Sequence, residues 1–266
     1  MFEDVVDVVP FEVQDRGAPC CRGHPHLLGP FMRAGWSGAR EGAVISWRGR
    51  PGRLIRVTEH AHAEHDDADH DADAAPGWDA VEAAVQSVTA VEPVHFAVGG
   101  LPDAGGVYAV DGYRTADGWL LVTLGLSELF EKTSDDPATS GWGLELTLRL
   151  PAALDEEQPP EWALRLLVRL GDHIDETGSV VGDGHRFDPG GPITGNPDTR
   201  LRALAFALDP ELGGVDTPHG HLDFIRVVGI TADELARMQA TRTRQVLDEL
   251  QRSPAVGPLM LTDPGR

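Results

Sequence analysis

Hydrophobic positions change period several times along the chain, and the sharpest change lies between Trp119 and Leu150. Residues 119–126, Trp-Leu-Leu-Val-Thr-Leu-Gly-Leu, are apolar on both faces, which predicts a central strand covered on each side. From Trp142 the period is two. Trp142, Leu144, Leu146, Leu148 and Leu150 point one way and Glu145, Thr147 and Arg149 the other, so the pattern predicts a strand with one core face and one polar face. An acidic turn joins the two strands.

The same reading places the other elements around this pair. Trp78, Val81, Ala84, Val85 and Val88 share one face of a helix from Trp78 to about Val91, which Pro93 stops. A turn at 100–103 leads into a short strand, Val107 to Tyr113. A second helix runs from Glu161 to about Glu176 with Trp162, Leu166, Leu167, Leu170 and Ile174 as its stripe and Gly178 as its C-terminal cap. The Gly-, Pro- and Asp-rich stretch that follows reads as a long loop without regular structure. Strands are expected from Arg200 to Leu208 and from Leu222 to Val228, joined by a turn. Thr231 and Glu234 form the Thr-x-x-Glu capping box of a helix whose apolar side runs through Leu235, Met238, Val246, Leu247 and Leu250. Val256–Thr262 reads as a closing strand. Helices and strands mixed in this way predict an α+β fold, a mixed and mainly antiparallel sheet packed with helices, in a single domain over residues 78–266.

Composition separates the first part of the chain from this domain. Residues 1–57 hold eight Arg against six acidic residues and are broken repeatedly by Gly and Pro, so they read as a poorly ordered or atypical N-terminal extension. Its short alternating patches, Val5–Val9 and Val44–Trp47, are the only strand candidates there. Residues 58–77 carry seven acids and four His, His60, His62, His65 and His70, and read as a solvated acidic linker rather than a metal site, because nothing apolar fixes the geometry of the histidines. Adjacent Cys20 and Cys21 make no disulfide framework and a poor zinc pattern. The formal net charge of −21, with a single Lys, Lys132, repels phosphate and anionic lipid, so neither nucleic acid nor membrane is an expected partner. The start, Met-Phe-Glu-Asp, lacks the basic and apolar regions of a secretory signal, and a cytoplasmic location is the expectation.

Signatures of catalysis are missing from the sequence. It holds no His-Glu-x-x-His, no Gly-x-Ser-x-Gly elbow and no phosphate loop ending in Gly-Lys-Ser/Thr. Ser127, in Gly-Leu-Ser-Glu-Leu, reads as a structural residue at a strand end. His185, flanked by Asp183, Arg186 and Asp188, is the most chemically suggestive cluster, and either a general base or a metal ligand would suit it. Turn chemistry or partner contact is the preferred reading, since no further ligand lies within sequence reach. Glu145 and Arg149 share a strand face and suit an ordinary ion pair or a basic partner, and Glu128 has the same two readings. His219 and His221, on either side of Gly220, read as surface residues of a tight turn.

Several of these segments together carry a resemblance. Thr-Leu-Gly-Leu-Ser-Glu-Leu-Phe at 123–130 and Ser-Gly-Trp-Gly-Leu-Glu-Leu-Thr-Leu-Arg-Leu at 140–150 resemble the paired strands of the suppressor-of-fused (SUFU) family. Gly184-His185-Arg186, Asp209-Pro210-Glu211-Leu212, Thr217-Pro218-His219-Gly220, Val228-Gly229-Ile230-Thr231 and Leu261-Thr262-Asp263 follow in the family's order, from about Trp78 to Arg266. The resemblance implies a non-catalytic protein-binding module without cofactor or bound metal, and is to the shorter bacterial members, thought to neutralise toxins. It therefore implies a protein partner, such as a basic toxin domain, with His185, Asp183, Arg186, Asp188, Glu145 and Glu128 as candidate contacts. An enzyme centred on the His185 loop and a regulatory scaffold are the alternatives. In animal members an Asp directly precedes the loop His and a Glu precedes the Asp-Pro pair, where both help to grip a partner peptide by strand addition. Gly184 and Leu208 stand at those positions here, so the identity of the partner does not carry over.

Overall fold

A computed structural model describes residues 55–58, 75–98, 106–151 and 157–266. Every described residue lies in one compact unit. Cys20, Cys21, the two patches Val5–Val9 and Val44–Trp47 and the four linker histidines lie outside the described residues.

Among the described residues nine strands form one sheet: β1 Ile55–Thr58, β2 Val94–Val98, β3 Ala109–Thr115, β4 Gly118–Leu124, β5 Thr139–Leu150, β6 Arg186–Phe187, β7 Leu201–Leu208, β8 Gly214–Thr217 and β9 Gly220–Thr231. Their order is β1-β2-β3-β4-β5-β9-β7-β6, with β8 also paired to β9. Every pairing is antiparallel except β5 with β9. The helices are α1 Pro76–Gln86, α2 Glu161–Thr177, α3 Ala232–Ala240 and α4 Thr243–Gln251. The fold is α+β, as the mixed pattern predicts.

Alternation along the central strands sends side chains into two layers. Trp119 and Leu121 of β4, Leu144, Leu146, Leu148 and Leu150 of β5 and Ile225 and Val227 of β9 pack with α2 through Ala163, Leu164, Leu167 and Ile174. On the opposite face, α1 covers Leu120, Val122, Leu124, Leu222 and Phe224. The same face continues under α3 and α4, where Ala203, Ala205 and Ala207 of β7 and Val228 and Ile230 of β9 meet Met238, Val246 and Leu247. Gly77 lets α1 approach closely, since a Cβ there would stand 2.0 Å from the Glu128 carbonyl oxygen.

This second layer corrects the expectation of a polar face on β5. Glu145 and Thr147 are 0% exposed and Arg149 is 3% exposed. Three further expectations differ. β1 and β2 were both missing from the reading, β1 because it falls in the stretch read as extension and linker, and the five residues of β2 pair between β1 and β3. The helix predicted from Thr231 is two helices, broken at Thr241, whose backbone leaves helical geometry (φ −128, ψ −114) and whose hydroxyl donates 2.7 Å to the Arg237 carbonyl. Residues 256–262 form turns instead of a strand, with positive φ at Gly257 and Met260. They still close the fold, because the Thr262 N–H donates to the Arg149 carbonyl at 2.8 Å and its hydroxyl accepts from the Gly229 N–H at 2.8 Å.

The predicted capping box is present. Thr231 Oγ1 accepts from the Glu234 N–H at 3.3 Å, and Glu234 Oε2 accepts from the Thr231 N–H at 2.7 Å. Thr231→Ala removes one half of it and is expected to lower stability by about 1 kcal/mol, read from the urea midpoint at unchanged slope.

Candidate partner-binding edge

The sheet ends on one side at β6, two residues long and antiparallel to β7, with Arg186 opposite Ala205 and Phe187 opposite Leu204. This strand lies inside the stretch read as an irregular loop. Alternation directs its two side chains to opposite faces and each finds an anchor. Phe187 meets the His173 ring of α2 at 5.4 Å between centroids, and Arg186 Nη1 donates to Thr243 Oγ1 of α4 at 3.2 Å.

The turn leading into β6 is fixed in the same way. The Gly184 N–H donates to the Phe206 carbonyl and the Phe206 N–H to the His185 carbonyl, both at 2.9 Å. Asp183 Oδ1 accepts from the Leu208 N–H at 3.1 Å and from Arg244 Nη1 at 2.5 Å. His185 Nδ1 accepts from the Gly182 N–H at 3.1 Å, so the ring carries its proton on Nε2 when neutral. Burial lowers its pKa, with Asp183 opposing. Asp188 closes a local turn by accepting from the Gly190 N–H at 2.8 Å. Asp183, His185, Arg186 and Asp188 are thus brought to one sheet edge, and positions 184 and 208, far apart in sequence, meet there. Leu208 is 41% exposed, one of two large hydrophobic side chains classed as exposed among the described residues. The sequence marked Leu208 only as a departure from the family's pattern, and Arg244 did not stand out at all, because an Arg on a helix carries no signal by itself.

Glu145 and Glu128 lie elsewhere and act inward. Glu145 Oε1 accepts from the N–H groups of Gly125 and Ser127, both at 2.9 Å, and from Ser127 Oγ at 2.7 Å, while Oε2 accepts from Thr123 Oγ1 at 2.6 Å. Despite these donors, burial pushes the carboxyl up to about 7. Ser127 is therefore a bracket for the chain leaving β4. Burial opposes charge on Glu128 too, but Lys132 and the N–H groups of Ser134, Thr133 and Gly141 hold it at about 2. Arg149 pairs with Glu211 rather than with Glu145.

A buried polar network, unforeseen in the sequence, joins β5, β9 and the turn between β7 and β8. Asp209 Oδ1 accepts from the N–H groups of Glu211 and Leu212 at 2.9 and 3.1 Å, and Oδ2 accepts from Thr147 Oγ1 at 2.6 Å and Arg226 Nε at 3.0 Å. Arg226 Nη2 also reaches Asp209, and Nη1 donates to the Leu259 carbonyl. Burial works to raise Asp209, but Arg226 and the hydrogen bonds outweigh it and keep the carboxyl below its usual range.

His219 corrects the surface reading: it is 9% exposed, and His221 alone of the two is open to solvent, with Asp216 Oδ1 2.7 Å from its Nδ1. Among the described residues no group of three or more His, Cys, Asp or Glu converges to hold a metal, and no helix is long and apolar enough to cross a membrane.

Comparison with known proteins bears on this geometry. The human and mouse Suppressor of fused homologs are each 30% identical over 152 residues, 54% of this chain and 31% of theirs. The chain thus matches about a third of those relatives. A chain in the crystal structure of a Sufu–Fu complex superposes with a TM-score of 0.65 at 26% identity, covering 72% of this chain and 91% of its own. The Drosophila Suppressor of Fused structure shares the fold, with a TM-score of 0.64 at 24% identity over 72% of this chain and 50% of its own. The model of the Suppressor of fused protein (SUFU) family matches residues 103–266, well over half of the sequence and containing both the β6–β7 edge and the Asp209–Arg226 network, so the chain belongs to the suppressor-of-fused family.

Proposed function

We propose that this chain is a non-catalytic protein-binding module whose partner engages the β6–β7 edge, and that the partner is a basic toxin domain which the chain neutralises in the cytoplasm. The observation that carries the reading is the edge itself. A two-residue strand anchored on both faces leaves the sheet open to a further chain while holding Asp183, His185, Arg186, Asp188 and Leu208 in fixed positions. Rigid edges of this kind suit strand addition, in which backbone hydrogen bonds supply affinity and flanking side chains supply selectivity. That a relative forms a complex with the protein Fu supports a protein partner. The net charge of −21 supports a basic one.

Electrostatic steering makes the proposal testable without a map of the interface. Association with the cognate toxin is expected to slow by about tenfold or more between about 50 mM and 500 mM salt in stopped-flow measurements, with a smaller change in dissociation. A rate constant that does not respond to salt contradicts the basic-partner reading.

A further inference from the structure

A second surface lies away from that edge, where the start of α1 meets the entry to β3 and the chain leaving β4. Trp78 and Glu82 are four residues apart on α1 and so share a helix face. The Trp78 ring stands 5.9 Å from Tyr108 at 78° and 6.4 Å from Phe130, and Tyr108 and Phe130 meet at 5.8 Å and 85°. All three rings are only partly buried, and His95 extends the group at 5.9 Å from Trp78. His95 Nδ1 lies 2.6 Å from Asp111 Oδ1, and Asp111 is 2% exposed.

Charge at this corner is one-sided. Burial pushes the Glu82 carboxyl above its usual range, and of the charges that act most strongly on it Asp111, Glu92 and Asp79 push the same way, with His95 opposing. His95 is itself raised, chiefly by its hydrogen bond to Asp111. Asp111 against the imidazole and Glu82 close enough to act on it, beside three partly exposed aromatic rings, favour a guanidinium over other common side chains. Its flat face stacks on aromatic rings and its fork of N–H donors matches a carboxylate.

We propose that the Trp78–Glu82–His95–Tyr108–Phe130 corner binds an arginine carried on an extended segment of a partner protein. The corner is separated from the β6–β7 edge by the strands between β3 and β7, about 19 Å at the usual strand spacing, and does not depend on what binds there. A partner long enough to span both would be held at two points, which raises affinity by an effective-concentration gain.

The test is a nuclear magnetic resonance titration of the full chain with the blocked peptide Gly-Gly-Arg-Gly-Gly, and with the same peptide carrying neutral citrulline in place of Arg, in about 150 mM salt to screen diffuse attraction. Saturable shifts are expected at the Trp78 indole and at the amides of Glu82, His95, Tyr108 and Phe130, with the citrulline peptide at least tenfold weaker. Glu82→Gln, on a partly exposed helix position, leaves the fold intact and is expected to weaken the arginine peptide at least fivefold. Trp78→Leu is expected to weaken it as well. The proposal is overturned if the two peptides bind alike, if Glu82→Gln has no effect, or if the Asp175–Glu176 end of α2, on the opposite face of the sheet, shifts as strongly as the corner, which would show general attraction to an acidic surface. None of these results depends on a partner at the β6–β7 edge.

Discussion

Asp209→Ala is expected to lower the unfolding free energy by about 3–5 kcal/mol, because it leaves a buried arginine without its counter-charge. Arg226 is 0% exposed and lies between Phe224 and Val228, at the seam between the α1 layer and the α3–α4 layer. The carboxylate does two jobs. Its Oδ1 folds the chain at 209–212 by taking two backbone N–H groups, and its Oδ2 binds the guanidinium and the Thr147 hydroxyl. Domains of this size are stable by only about 5–15 kcal/mol, so the loss is a large fraction of the total. Replacing both partners, Asp209→Asn with Arg226→Met, is expected to recover most of it, since no buried charge then lacks a partner and the amide oxygen still accepts from the Glu211 and Leu212 N–H groups. Urea unfolding of the two single variants and the double variant checks this. A double variant no better than the singles would mean that the network shapes the 209–212 turn more than it balances charge.

Glu145 is expected to make stability fall as pH rises toward neutrality. Its carboxyl titrates near 7 in the folded protein against an ordinary value of 4.5. The folded state therefore holds the proton more tightly than the unfolded chain. The stabilisation is complete below the unfolded value and is lost as pH climbs through the folded one, by about 3 kcal/mol between pH 4.5 and 7.5. Glu145→Gln removes this slope while keeping an oxygen for the Gly125 and Ser127 N–H groups and an amide that donates to Thr123. The difference between the wild-type and Glu145→Gln stability curves isolates the effect from His95, which titrates in an overlapping range, and from Glu128, whose stabilisation is lost only as pH falls toward about 2. Parallel curves across that window would contradict it. Glu145→Leu, by contrast, leaves the two N–H groups unsatisfied and is expected to cost about 2–4 kcal/mol at pH 5.

Local pattern carried much of the fold. The double-sided apolar run at 119–126, whose strand ends two residues early at Leu124, the alternation at 142–150, the α2 stripe and the Thr231 box all stand where periodicity and capping place them. What failed was information about the second layer. Alternation marks which residues of β5 are polar, but not that α1 and α3–α4 cover the sheet on that side, so Glu145 and Arg149 read as surface groups. β2 is five residues with a His inside it, too short for its alternation to stand out. The break between α3 and α4 falls at Thr241 without Gly or Pro to announce it. Pro258 and the positive φ of Gly257 do explain why 256–262 is not a strand, and that signal was present in the sequence. Of the site, the His185 cluster was visible as polar residues on a loop. Its role as the anchored end of a sheet was not, because the bonds that fix it come from β7, α2 and α4, at distances of up to 61 residues along the chain.

The claim that this domain is a binding module with its partner at the β6–β7 edge is tested most directly by capture from the native host with the tagged full chain, in parallel with Leu208→Lys. Leu208 is exposed and its backbone N–H bond to Asp183 survives the substitution, so the variant is expected to fold with unchanged stability. One stoichiometric protein partner, toxic when expressed alone and harmless with the wild-type chain, is expected to be retained by the wild type and lost or weakened more than tenfold with Leu208→Lys. Equal retention by both would move the interface away from this edge, and failure to retain any protein would contradict the binding function itself.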